Sequence, residues 1–352
     1  MKNVYSCVCV LALSALFQAG CAVAPSAAWL NDFNAAKKIA ARQNKNILLF
    51  FSADDDTESA RFKESVCGAP DFLEAIRADY VPVNLDFSRA LYEKTEIPEG
   101  AEANKRTEVN KLRAALDRNS ELASLYDVWE MPAFLLLTKE GYVISALDIS
   151  GSPEAEEGAE SAAPLTAEQL LALIAAQKEH ADAVNGQVKK IGASSGADKA
   201  RAISEFYEAT PEEYQQATHD LWDAAISADP GNKSGALGKF EMQNAYRHRN
   251  AYRATRDYQA VADEFSRIAG GGHLNAAERQ EAWYMAASAL NQSDSKSYEA
   301  ILDYLAKSVA ADPESDHAPQ IQETITFVEE ESAAAAKEAA QKEAETAQTD
   351  AP

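Results

Sequence analysis

The sequence predicts an α/β domain followed by an all-α domain. Two observations in the first 150 residues point to the α/β domain: apolar segments of strand length, and helical patterns between them. A third observation is that the chain beyond residue 197 shows only helical patterns, interrupted by Pro and Gly. A chain of 352 residues is also long enough for about two domains.

The first half of the α/β domain has the pattern helix, strand, helix, strand. Apolar residues recur at helical spacing after Asn31, and either Asn31 or Asp32 can cap that helix. Residues 46–51 are almost continuously apolar, which is typical of a strand buried on both faces. A second helix is predicted after Ser52, and the alternating segment Tyr80–Asp86 is predicted to be the second strand.

The second half of this domain ends in a predicted hairpin. Residues 88–107 are charged and contain Pro98 and Gly100, so they are predicted to be a surface insertion before a helix from about 108 to 125. Residues 133–137 and 142–147 are predicted to be two strands joined by a tight turn. The domain, placed at 29–150, therefore has the order α-β-α-β-α-β-β, with a central mixed sheet flanked by helices.

The region that follows is predicted to be a linker and one helix, at 151–197. Residues 151–164 contain no large apolar residue, which is typical of a linker or loop. Apolar residues then mark a helix that closes the first domain, namely Leu170, Leu171, Leu173 and Ile174.

The last folded part is predicted to be an all-α domain over residues 198–328. Helix breaks are expected at Pro211, at Pro230, at residues 270–272 and at Pro313. Residues 224–230 and 309–313 resemble the helix ends of tetratricopeptide-type repeats, which implies an irregular helical-repeat architecture. The tail at 329–352 is mostly Ala, Glu and Lys, and it is predicted to be either solvated helix or disordered chain.

The first 28 residues have the composition of a secretion signal. Lys2 precedes an apolar run from 4 to 17 and then small residues, and the run is short for a membrane-spanning helix. Residues 18–21 resemble a bacterial lipobox, in which Cys21 would be lipidated. Alternatively, cleavage after Ala28 would leave Trp29 as the first residue. Both alternatives predict an exported protein of the periplasm or cell envelope.

The charge of the chain excludes one class of partner. Lys and Arg total 33 against 56 Asp and Glu, which gives a formal net charge of −23. A surface of this charge repels nucleic-acid phosphates and anionic lipid headgroups. We therefore expect no nucleic-acid partner, and contact with a membrane only through a lipid at Cys21.

Three segments in order resemble the secreted thioredoxin-like proteins of bacteria. They are a helix and buried strand ending at Ser52, the strand segment 81–87, and residues 122–137 with Met131 and Pro132 before a strand. The resemblance implies the thioredoxin-like fold and a cis peptide bond at Pro132. It also implies a groove beside this proline in which an extended peptide binds. The candidate groove residues are Met131, Pro132, Thr57 and Ser59.

The sequence departs from that family at the redox site. Where the family has two cysteines separated by two residues, this chain has Asp56 and Ser59. Dithiol exchange needs one thiolate to attack and a second thiol to resolve the mixed disulfide. Thr57 and Ser59 cannot replace them without a base, and all five histidines lie at or beyond His180. We therefore predict no catalytic residues at this position.

The remaining candidate residues have ordinary structural interpretations beside functional ones. Asp55 and Glu58 can form a capping box, although acidic residues 54–58 could also bind Ca²⁺. Cys67 is the only cysteine after Cys21, so no intramolecular disulfide is expected; it is either a buried structural thiol or a reactive one. The histidines lack metal-ligand spacing, so neither a metal site nor a cofactor is expected.

These observations lead to one main functional hypothesis and two rivals. The main hypothesis is a non-enzymatic exported protein that acts as a scaffold or as a protein- or peptide-binding module. The first rival is a divergent thiol-disulfide oxidoreductase or redox sensor that uses Cys67. The second is a purely architectural protein without a partner.

Overall fold

The computed structural model describes residues 29–53, 60–97, 99–149, 165–294 and 296–349, with side chains as far as residue 342. Several sequence-based expectations lie outside these ranges. They concern the secretion signal with Cys21, the linker at 151–164, and residues 54–59 with Asp55, Asp56, Thr57, Glu58 and Ser59.

A mixed four-stranded sheet forms the centre of the first domain. In space its strands follow the order β2 (Tyr80–Asp86), β1 (Asn46–Ser52), β3 (Ala133–Leu137) and β4 (Val143–Leu147). β1 pairs in parallel with β2 and antiparallel with β3, and β3 pairs antiparallel with β4. β1 is central, and six of its seven residues are buried, because helices cover both faces of the sheet.

Local sequence features explain where the first helices of this domain begin. α1 (Phe33–Gln43) is capped by Asp32, whose side chain accepts a hydrogen bond from the Ala35 N–H at 2.8 Å. A π-helical segment, Phe62–Cys67, precedes α2 (Pro70–Ile76), which starts with a proline in the first turn. α3 (Arg89–Glu93) and α4 (Ala103–Leu125) then lead to the β3–β4 hairpin.

The predicted order of elements is confirmed, with differences at some of their ends. Residues 88–107 were expected to be an insertion, yet they contain α3 and the first turn of α4, which begins at Ala103 rather than near 108. Residues 102–108 are all exposed, so this turn has no apolar face that periodicity could reveal. Tyr142 lies in the turn, and the last strand begins at Val143.

The rest of the described chain is helical. α5 (Ala167–Ala176), α6 (Lys178–Ala193) and α7 (Gly196–Ala209) precede a 3₁₀ helix (Glu212–Thr218) and α8 (His219–Ala228). They are followed by α9 (Leu237–Thr255), α10 (Tyr258–Gly270), α11 (Ala276–Asn291), α12 (Tyr298–Ala311) and α13 (Ala318–Thr349). The predicted breaks at Pro211, Pro230, residues 270–272 and Pro313 are confirmed. A further break at Arg256, with φ of +59°, has no proline or glycine to signal it.

Apolar side chains on the two faces of the sheet enter different clusters. Because neighbouring strand residues point to opposite faces, Ile47 and Leu49 pack with α1, while Leu48 and Phe50 pack towards α2 and α5. The cluster around Leu48 continues without a break through α6, α7 and α8 as far as Phe240 in α9. Helices after the linker therefore complete the core on one face of the sheet.

A second apolar core runs from Met242 to Val328, within α9 to α13. The change from one core to the other falls inside α9, whereas the sequence placed a domain border near residue 197. The predicted domain boundaries stay a prediction. The packing shows that helices on both sides of residue 197 share the core around Leu48 and Phe50, called the sheet-facing core below.

The final helix, α13, extends well beyond the second core. Val328 is its last fully buried residue, and residues 336–342 are exposed. Of the two structures expected for the tail, the described residues adopt the solvated helix. Across the described ranges, the helices are each too short or too polar to span a membrane.

Candidate functional site

The expected cis peptide bond between Met131 and Pro132 is confirmed. Pro132 lies directly before β3, whose first residue, Ala133, pairs with Phe51 near the end of β1. β2 is parallel to β1, so the carboxyl ends of β1 and β2 meet the start of β3 at one edge of the sheet. The candidate site is this end of the sheet, where the strands stop, and not an outer strand. It is called the cis-proline edge below.

The backbone just before Pro132 has open hydrogen-bonding groups. The N–H of Val128 donates to the carbonyl of Ala123 at 2.8 Å, and the β3 ladder begins at Ala133. Between them, the N–H groups of Trp129, Glu130 and Met131 make no hydrogen bond to any residue that the structure describes. Because unpaired backbone groups need a partner from water or another chain, this segment can accept an extended peptide.

Trp129 is the most unusual side chain at this edge, because 78% of its surface is exposed. Its indole N–H donates to the Asp127 carboxylate at 2.6 Å. Asp127 has a φ of +54°, a left-handed conformation that aspartate tolerates better than most residues. The indole is thus held in place while its apolar face meets solvent. Sequence reasoning missed this residue, although it lies outside any helical periodicity and only three positions before Pro132.

Polar groups at the ends of β1 and β2 are already paired with one another. The Ser52 hydroxyl is fully buried and donates to the Asn84 side-chain oxygen at 2.8 Å. Lys63 forms an ion pair with Asp86 at 2.9 Å, and Asp86 also accepts the Ser88 N–H at 2.8 Å. Within the part of the chain that the structure describes, the Ser52 hydroxyl bonds to Asn84 rather than to a histidine, the base that commonly activates a serine.

Cys67 is free and lies in the core, with 3% of its surface exposed. It ends the π-helical segment, and its carbonyl accepts the Trp29 indole N–H at 3.0 Å. Burial raises the pKa of the thiol from its ordinary value of 9.0 to about 12, and the nearby Lys63 charge offsets only part of this rise. The thiol is therefore protonated at neutral pH, as expected for the structural interpretation.

The structure brings together only part of the predicted groove. Met131 and Pro132 lie at the cis-proline edge, next to the end of β1. Thr57 and Ser59 fall in the segment outside the described residues, as does the lipidation candidate Cys21. The four candidate groove residues therefore stay predictions as a set.

Two of the five histidines in the helical region form pairs with glutamates. His248 lies 2.9 Å from Glu264, and His273 lies 3.2 Å from Glu241. Among the residues with a described position, no group of three or more His, Cys, Asp or Glu side chains is arranged to hold a metal ion.

A large cavity of about 1130 Å³ lies at the opposite end of the sheet, between the starts of β1 and β2 and helix α6. Its lining includes Asn46 and Asn185, whose side chains hydrogen-bond to each other at 3.2 Å, and Lys45, which donates to the Arg77 carbonyl. The bond between Asn46 and Asn185 joins α6 to the start of β1, so we assign this cavity to the packing of α6 against this end of the sheet.

Two family models match the chain. Residues 28–114 match a family described as thioredoxin-like, and residues 236–334 match a family described as an uncharacterised protein C-terminal domain. The second match covers the helices that build the second core. A protein of Treponema pallidum (strain Nichols), described as an uncharacterized protein, is 29% identical over 212 residues. That alignment covers 60% of this chain, which spans 66% of the relative's length. The chain therefore contains a thioredoxin-like domain with a mixed four-stranded sheet, followed by an all-helical region.

Proposed function

We propose that this protein is a non-enzymatic exported scaffold whose thioredoxin-like domain binds an extended peptide at the cis-proline edge. The observation that carries the proposal is the open backbone from Trp129 to Met131 beside an exposed indole. The helical region would present this domain and offer further surface to a protein partner.

Open backbone groups next to a strand can bind an extended peptide. An extended peptide satisfies unpaired backbone groups through main-chain hydrogen bonds, and nearby side chains supply specificity. Trp129 offers a large apolar face, and tryptophan often dominates the binding energy of interfaces. Since its indole is already held by Asp127, little side-chain entropy would be lost on binding.

Cysteine chemistry supports binding rather than thiol exchange. The sequence has no cysteine between Cys21 and Cys67, and a buried protonated thiol is a poor nucleophile. The rival role, an oxidoreductase or redox sensor acting through Cys67, would require the core around this residue to open.

Export to the periplasm or cell envelope is part of the proposal and rests on residues 1–28 alone. Mass spectrometry of the mature N-terminus tests it. A lipid-modified Cys21 or an unmodified Trp29 at the N-terminus would each support export, whereas an intact Met1 in cells would contradict it.

The peptide-binding role can be tested on an array of extended peptides with the full mature chain. We expect Trp129→Ala to weaken binding to selected peptides at least about tenfold, because the main apolar contact is removed. Phe327→Ala is a matched control, since Phe327 is also an exposed aromatic residue, at 58%, but lies on α13. It should bind like the unmodified chain.

Two results would contradict the proposed role. One is equal peptide binding by the Trp129→Ala and Phe327→Ala variants, because the cis-proline edge would then not be the site. The other is reduction of insulin disulfides that disappears in Cys67→Ser, because the protein would then be a thiol enzyme.

A further inference from the structure

A small pocket in the second core is separate from the cis-proline edge. It has a volume of about 240 Å³ and lies between the last turns of α9 and α11 and the first turn of α10. Two arginines of α9, Arg249 and Arg253, contribute to its lining. They are one helical turn apart, so both side chains lie on the same face of the helix.

Arg249 and Arg253 have no ion-pair partner among the residues that the structure describes. Within the described part of the chain, neither guanidinium hydrogen-bonds to another residue or lies within ion-pair distance of a carboxylate. The closest acid in sequence, Asp257, instead caps α10 by accepting the Ala260 N–H at 3.1 Å. In a chain with a net charge of −23, two unpaired arginines lining one pocket need an explanation.

Arg249 is held in position by its surroundings. Its guanidinium carbon lies 5.1 Å from the centre of the Tyr246 ring, and the Tyr246 hydroxyl donates to Glu281. Its Nε atom is buried and has no hydrogen-bond partner. An arginine fixed in this way is preorganised to receive an anion, because little side-chain freedom would be lost.

The rest of the lining indicates what the anion would carry. Apolar surface comes from Val261, Met285 and Ala289, and polar atoms come from Tyr258, Ser288 and Gln292. Inorganic anions gain nothing from apolar walls, whereas an acid with a hydrocarbon group does. The volume is also below the range of about 300–1,000 Å³ typical of sites for drug-sized ligands.

We propose that this pocket binds a small carboxylic acid with a short apolar body, whose carboxylate is held by Arg249 and Arg253. Carboxylates accept paired hydrogen bonds from guanidinium groups, and such charge-assisted bonds are stronger than neutral ones. The same chemistry occurs in a free acid and in the last residue of a polypeptide. The competing explanation is a solvated arginine pair favoured by the negative end of the α9 dipole.

Isothermal titration of the full mature chain with acetyl-leucine tests the proposal, with the uncharged acetyl-leucinamide as matched probe. We expect the acid to bind and the amide not to. Arg253→Gln should weaken binding at least about tenfold, because one charge-assisted contact is lost. Arg253 is exposed, so this variant should fold. Arg118→Gln removes an exposed arginine of α4 that has no partner among the described residues, and it should bind unchanged.

The probes also distinguish the two sources of the carboxylate. A peptide ending in leucine with a free carboxylate should bind as well as acetyl-leucine if the pocket receives chain ends, and not at all if it receives only free acids. The proposal is overturned if acetyl-leucine does not bind at about 10 mM, or if acid and amide bind equally. It is also overturned if Arg253→Gln binds like Arg118→Gln, or if inorganic phosphate binds more tightly than the acid.

Discussion

At the residue scale, the behaviour of Cys67 is decided by its surroundings rather than by its chemistry. The sequence left open whether this thiol is structural or reactive. In the folded chain it lies among apolar side chains of the sheet-facing core, including Val66 and Phe72. A thiolate loses its hydration in such a place, so the protonated form is favoured.

This burial predicts a specific pH dependence of stability. The unfolded thiol loses its proton near pH 9.0, whereas the folded thiol keeps it until about pH 12. The contribution of Cys67 is thus complete below pH 9 and is lost as pH rises towards 12. Between these limits, the free energy of unfolding should fall more steeply for the unmodified chain than for Cys67→Ala, by up to about 1.4 kcal/mol per pH unit.

Denaturant unfolding at several alkaline pH values measures this difference. The comparison with Cys67→Ala cancels the buried tyrosines, because both proteins contain them. Parallel pH profiles for the two proteins would show that the thiol is not protected from ionisation in the folded state.

At the element scale, two helical glycines with different surroundings should respond in opposite directions to alanine. A Cβ atom at Gly238, in the first turn of α9, would lie 2.7 Å from the His273 carbonyl oxygen. At Gly186, in the middle of α6, it would meet no atom within 4 Å. The close approach between α9 and the loop before α11 therefore depends on a missing side chain.

We expect Gly238→Ala to destabilise the protein by about 1–3 kcal/mol, because backbone must move to admit the methyl group. Gly186→Ala should stabilise it by up to about 1 kcal/mol, because alanine has the higher helix propensity. Urea unfolding followed by far-ultraviolet circular dichroism measures both. A stabilising Gly238→Ala would mean that α9 does not pack closely on that loop.

The observed limits of the strands and helices show where local sequence patterns predict correctly and where they do not. The strands Tyr80–Asp86 and Ala133–Leu137 have the limits that alternation and the flanking residues predicted. The start of α4 was missed because its first turn is solvated on all sides, and the break at Arg256 was missed because an arginine adopts the left-handed conformation there. Patterns identify elements that bury an apolar face, and they fail where an element end is defined only by backbone geometry.

At the scale of the whole molecule, a polar contact joins the sheet to the helical region. The Tyr142 hydroxyl, beside β4, donates to the Asp220 carboxylate of α8 at 2.9 Å, and the Tyr142 ring packs edge-on against Phe206 of α7. Burial raises the pKa of Tyr142, and the Asp220 charge raises it further, so the hydroxyl remains a donor throughout the neutral pH range.

A double-mutant cycle on Tyr142→Phe and Asp220→Asn should give a coupling free energy of about 1 kcal/mol, because the Tyr142 side of the contact is buried while Asp220 is exposed. The exposed pair Lys178 and Asp182 on α6 is a suitable comparison, and its coupling should be near zero. Equal coupling for the two pairs would show that the sheet and α8 are not held together as described.

The two cores meet in α9, so we expect them to unfold together. Phe240 is fully buried in the sheet-facing core, and Met242 belongs to the second core. Phe240→Ala should cost about 3–5 kcal/mol and speed hydrogen exchange in both β1 and α11. Exchange measured by mass spectrometry checks this, and faster exchange in β1 alone would indicate that the two cores are independent.

The sequence by itself determined the order of elements, the limits of β2 and β3, most helix breaks and the expectation of a cis bond before Pro132. Only the tertiary structure decided that helices beyond the linker cover the sheet, that Trp129 is exposed, that Cys67 is buried, and that Arg249 and Arg253 share a pocket. The physical reason is that periodicity reports which face of an element is apolar. It does not report which distant element covers that face, or which side chains are left uncovered.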